Sequence, residues 1–137
     1  MIVLLCFIII KISFQFNFQT FDPIGSAGRI TSTGVGLLAV TSADRLHRDW
    51  LESLRAGSTS HVARLLAPLA PDAALITIID GHPATLSWLG AVARHRIYPL
   101  GVEDFGQSGD IPDLYRAYGL DADAIIDAAA RACLERR

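Results

Sequence analysis

Three short apolar runs constrain this chain more than any other feature. They are "LLAVTS" (Leu37–Ser42), "AALITIID" (Ala73–Asp80) and Ile97–Val102 within "HRIYPLGV". Each is too short for a helix and rich in branched side chains, as a strand buried on both faces is. Each is followed by helical spacing, and a strand–helix–strand rhythm is the mark of an α/β fold with a parallel core. The expected architecture is α/β, three-layer, with a small mostly parallel sheet. Three strands make a thin sheet; a complete domain of this type begins with one more strand and helix before Leu37, and the expectation is that this chain lacks them or has the leader in their place.

The helices between the runs carry their own signals. Ser42 or Asp44 is placed to cap a helix through Arg48 to Leu54. Ser60 caps "HVARLLAPL", whose Val62, Leu65, Leu66 and Leu69 share a face, and Pro68 and Pro71 close it. After the "DGHP" turn, "ATLSWLGAV" reads as a short helix with Leu86, Leu89 and Val92 inward. Pro99 marks its strand as an edge or a strand end. Asp110 followed by Pro112 opens a further helix, with Leu114, Tyr115 and Tyr118 facing the core and Gly119 ending it. Asp121 caps the last helix, whose expected buried stripe is Ile125, Ile126, Ala129, Ala130 and Cys133. Arg131, Arg136 and Arg137 suit its C-terminal dipole end.

Residue usage changes abruptly near residue 22. Met1–Phe21 contains no Ala, Gly or Arg, yet holds Lys11 and Asn17, the only Lys and the only Asn of the chain. Such a switch is expected where two unrelated coding segments join, here a short leader and a fragment of a longer protein. The expected organisation is an apolar leader over 1–21, a linker over 22–33 and one domain over 34–137. Ile2–Ile10 is apolar but about half the ~20 residues of a membrane-spanning helix, and no basic segment precedes it as in a signal peptide. Beyond Lys11, the residues Ile12, Phe14, Phe16 and Phe18 alternate with polar ones, which reads as a strand. "FDPIGSAGRITSTGVG" reads as a loop and contains no phosphate-binding motif.

Composition excludes several function classes. With 51% hydrophobic and 19% charged residues the chain is globular rather than disordered. A net charge of −2 leaves no electrostatic footprint for nucleic acid. Two cysteines, Cys6 and Cys133, are too few for a disulfide scaffold. They fit a reduced, cytoplasmic setting; membrane association through residues 1–18 is the alternative. His47, His61, His82 and His95 form no zinc motif, and no G-x-S-x-G supports a nucleophile at Ser42 beside Asp44 and His47. No metal ligand and no catalytic residue is expected. Ligands of open α/β proteins collect where strands end. That rule selects Asp80 and His82 after the second apolar run, and Asp104, Phe105, Gly106 and Ser108 after the third. Each also has a structural reading, as a turn or a helix cap.

The segment "LGVEDFGQSGDIPDLYRAYGLDADAIIDAA" resembles the C-terminal signature of transketolase-like thiamine diphosphate enzymes. "GVGLLAVTSADRLHRDW" is similar to an earlier strand–helix segment of the same domain. The nearest style is that of the homodimeric decarboxylating component of the pyruvate dehydrogenase complex. The resemblance spans residues 34–133 and is most specific at Asp104–Gly106 and Ser108. It implies a domain that supports the fold and helps form a dimer, with catalysis in two other domains. It implies no cofactor in this chain, because the thiamine diphosphate and magnesium of the family bind at a G-D-G that is lacking here. Glu52, Glu103 and Glu135 match no catalytic position of the family. The implied partners are a second copy or the catalytic domains of the parent enzyme. Two readings compete. One is a free-standing α/β module binding a small anion through Asp80, His82 and the Gly106–Asp110 loop. The other is a membrane-tethered protein using the leader.

Overall fold

The computed structural model describes residues 9–10, 27–32, 35–104 and 106–135. Their order is β1 (Ile9–Ile10), β2 (Ala27–Ser32), β3 (Val35–Val40), α1 (Ala43–Ala56), α2 (His61–Leu66) and β4 (Ala74–Ile78). A 3-10 turn (Pro83–Leu86), α3 (Leu89–Ala93), β5 (Arg96–Leu100), α4 (Ile111–Ala117) and α5 (Ala122–Leu134) complete it. The class is α/β, as the strand–helix rhythm predicts.

The parallel element is smaller than the sequence suggests. β4 and β5 pair in parallel, Ala74 opposite Arg96 through Ile78 opposite Leu100. The third expected strand lies elsewhere. β3 pairs antiparallel with β2 on one side and with β1 on the other, in a separate sheet ordered β1-β3-β2. The expectation of one parallel sheet is therefore corrected for the Leu37–Ser42 run. Its strand also starts earlier and stops at Val40.

The second correction falls within the expected linker. Ala27–Ser32 is strand β2, not loop. Ser32 opposite Val35 leaves two residues between β2 and β3, the spacing of a tight hairpin. Gly and Ser lower intrinsic strand preference, but pairing against an apolar neighbour strand outweighs that preference. Of the leader, Ile9 and Ile10 form β1, which packs beside β4 and α5 as well as pairing with β3. Residues 2–8 lie outside the described residues. The alternating run from Ile12 to Phe18 lies outside the described residues, as do Cys6, Arg136 and Arg137.

β4 is the centre of the described structure. Successive side chains of a strand point to opposite faces. Leu75, Thr77 and Ile79 occupy one face, Ala74 and Ile76 the other, and all five are buried. Leu75 and Ile79 join the main core with Leu38 and Val40 of β3, Leu46 of α1, Val62 and Leu66 of α2, and Leu86 and Leu89. α5 packs against β4 and β5. Its buried residues are the small Ala128 and Ala132, which let the helix backbone come close to the strands.

This contact corrects the expected stripe. Ile125, Ala128, Ala129, Ala132 and Cys133 are buried or half-buried, whereas Ile126 is 64% exposed and Ala130 is exposed. Inward residues follow the spacing i, i+3, i+4, i+7 from Ile125. Ile126 lies about 100° further round the helix and misses the sheet. α4 departs further from expectation. It has no buried residue; Leu114 and Tyr118 are half-buried, but Tyr115 is 43% and Ile111 66% exposed.

The expected caps form with one exception. Ser60 Oγ accepts from Ala63 N–H at 3.2 Å, Asp110 from Asp113 N–H at 3.0 Å and Asp121 from Ala124 N–H at 3.0 Å. Ser42 precedes α1 but makes no side-chain cap bond. Its hydroxyl donates instead to Asp44 Oδ1 at 2.7 Å, and this bond holds the Asp44 carboxyl below its usual range. A cap the sequence did not reveal ties two helices together: His61 N–H donates to Asp49 Oδ2 at 2.7 Å. "ATLSWLGAV" is not one helix but the 3-10 turn and α3, with Leu86 and Leu89 buried and Val92 half-buried as expected.

Thr77 is wholly buried and its hydroxyl finds no partner among the described residues. An unpaired buried hydroxyl costs about 1–3 kcal/mol, while a branched apolar side chain of similar shape suits a strand. Thr77→Val is therefore expected to raise stability by about 1 kcal/mol in urea unfolding. A loss of similar size would mean that the hydroxyl has a partner in solution.

Candidate functional site

The carboxyl ends of β4 and β5 lie side by side because the strands are parallel. Hydrogen bonding continues past the strands themselves: Ile79 N–H donates to Leu100 O at 3.1 Å, and Val102 N–H to Gly81 O at 2.8 Å. The "DGHP" turn is thereby fastened to the segment that follows β5. Gly101 is what allows so close an approach. A Cβ there would stand 2.5 Å from Gly81 O and 2.8 Å from Pro83 N, inside any real contact distance and against backbone that cannot swing away.

The structure thus joins two of the sequence-selected segments, Asp80–His82 and the start of the loop bearing Asp104. Their side chains are not brought together into a site. Asp80, His82, Asp104, Gly106 and Ser108 are all exposed. Phe105 lies outside the described residues. Among the described residues no hydrogen bond or ion pair links Asp104 or Ser108 to Asp80 or His82.

His82 has a local structural task. Ala84 N–H donates to its Nδ1 at 3.2 Å, so the ring caps the 3-10 turn. An accepting Nδ1 must carry its lone pair, which puts the ring proton of the neutral imidazole on Nε2. In this arrangement His82 offers a ligand one donor at Nε2 and no free acceptor. That suits contact with an anion or a carbonyl, and it does not suit a general base.

The loop after β5 divides in the same way. Gly106 sits at φ +113°, a backbone conformation that side-chain-bearing residues rarely adopt. Gly109 has no such need, and a Cβ there would meet Leu114 at an ordinary 3.8 Å. Asp110 is occupied as the cap of α4. Among the described residues no group of three His, Cys, Asp or Glu is placed to hold a metal ion. No helix of the described residues is long and apolar enough to cross a membrane.

The other histidines are placed by packing. His95 is buried, and its Nδ1 donates to the carbonyl of Ala73 at 3.1 Å, joining the entrances of β4 and β5. His47 does not join Ser42 and Asp44 but lies against Trp88, ring centres 4.7 Å apart, while Trp50 stacks on Trp88 at 5.1 Å. Both Trp rings pack against the main core, so the cluster fixes α1 to the segment before α3.

One polar cluster was not foreseen. Tyr98 Oη donates to Glu135 Oε2 at 2.5 Å, and Arg96 Nη1 to the Glu135 carbonyl oxygen at 2.6 Å. Arg96 and Tyr98 share a face of β5, two residues apart, and Glu135 closes α5. The partners are 37 and 39 residues apart in sequence, so no local motif announces them. The carboxylate favours the protonated phenol and raises the Tyr98 pKa above its usual value.

Compared with known proteins, the chain matches no protein-family model, no curated protein and no solved structure.

Two outcomes are expected at these positions. Gly101→Ala forces backbone apart at the carboxyl ends of both parallel strands and should cost about 2–3 kcal/mol in urea unfolding; an unchanged midpoint would refute the close approach. Glu135→Gln should lower the Tyr98 pKa towards that of a free tyrosine, read from the Tyr98 ring carbon by NMR. Because the folded value is raised, the clamp stabilises the fold fully below the unfolded tyrosine pKa of about 10 and loses that effect as pH rises through the folded value. An identical titration in the variant would show that the carboxylate does not govern the phenol.

Proposed function

We propose that residues 34–133 are the C-terminal domain of a transketolase-like thiamine diphosphate enzyme, in the style of the homodimeric decarboxylating component of the pyruvate dehydrogenase complex. In this reading the domain assembles the enzyme and takes no direct part in catalysis. Thiamine diphosphate and magnesium belong to the other domains of the parent, and the partners are a second copy or those domains.

The observation that carries an assembly role is the set of large apolar side chains left exposed on the last two helices. α4 has no buried residue. Ile111, Tyr115, Ile126 and Leu134 are large apolar side chains left exposed on α4 and α5. A single exposed apolar residue needs no explanation, but several on adjoining elements of the chain are what an association surface offers. The polar residues of the strand-end loops point the same way. His82 and Asp110 are engaged as caps, and Gly101 and Gly106 serve the backbone. Structural tasks at these four positions support a family role in which the chemistry lies elsewhere.

The small-anion module is the second reading, favoured by the free Nε2 donor of His82 on an exposed turn. Sedimentation equilibrium of the whole chain separates the two. The assembly reading expects a dimer that Ile111→Asp with Ile126→Asp weakens about tenfold or more, with an unchanged circular dichroism spectrum. It also expects no shift in melting temperature with phosphate or thiamine diphosphate. A monomer whose melting temperature rises with phosphate, and loses that rise in His82→Ala, would replace assembly with anion binding.

A further inference from the structure

We draw no further inference here: the strongest candidate outside the site already described, the half-buried ring cluster of His47, Trp50 and Trp88 between α1 and the segment before α3, is accounted for by the packing of those elements on the main core, and nothing in the structure points to a ligand over its outer face.

Discussion

Burial of β4 on both faces is the constraint from which the rest of the described structure follows. A strand enclosed in this way must carry apolar or small side chains at every position, and Ala74–Thr77 are all at most 4% exposed. It must also be covered twice. The large side chains of β3, α1, α2 and the Leu86–Leu89 segment cover one face, and α5 covers the other with alanines. The two coverings differ in kind. Large side chains fill volume and supply most of the hydrophobic stabilisation, at about 1.5–3 kcal/mol for each fully buried Leu or Val. Alanines supply less, but they allow a helix to lie close to a narrow two-stranded sheet. α5 consequently relies more on its ends, through the Asp121 cap at one and the Glu135 contacts at the other.

Features encoded within a few residues were the legible ones. Ser60, Asp110 and Asp121 announce their helices because a cap and the N–H it satisfies lie three residues apart. The apolar run Ala73–Asp80 announces β4 because a strand buried on both faces has no polar alternation to confuse it. Features requiring knowledge of the neighbour were not legible. Ala27–Ser32 becomes a strand only because β3 lies beside it in register. Leu37–Ser42 has the composition of a parallel strand but takes antiparallel partners, and composition does not encode direction. Ile126 reads as core until the narrowness of the sheet is known.

The candidate site shows the same division. The strand-end rule brought Asp80–His82 and the Asp104 loop to one end of the parallel pair, where the chain does hold them together. It could not show that His82 gives its acceptor to Ala84 N–H, nor that Gly101 owes its identity to the carbonyl of Gly81. The second depends on backbones that converge only in three dimensions, and the first, though local, on a ring orientation that His does not advertise as Ser or Asp does. Gly101 and the Val102–Gly81 hydrogen bond thus lock the two strand ends together, and the large apolar side chains Ile111, Tyr115, Ile126 and Leu134 of α4 and α5 stay exposed.

The contact between Glu135 and β5 has an asymmetry worth drawing out. Arg96 reaches the main-chain carbonyl of Glu135, whereas Tyr98 reaches its side chain. The bond from Arg96 to the carbonyl is indifferent to which amino acid occupies position 135, while the Tyr98 bond and the 3.9 Å ion pair of Arg96 with the same side chain depend on a carboxylate. Exchange of the residue therefore gives up two of the three moorings that hold the end of α5 to the strand and keeps the one made by its main chain, whereas loss of position 135 itself casts off all three.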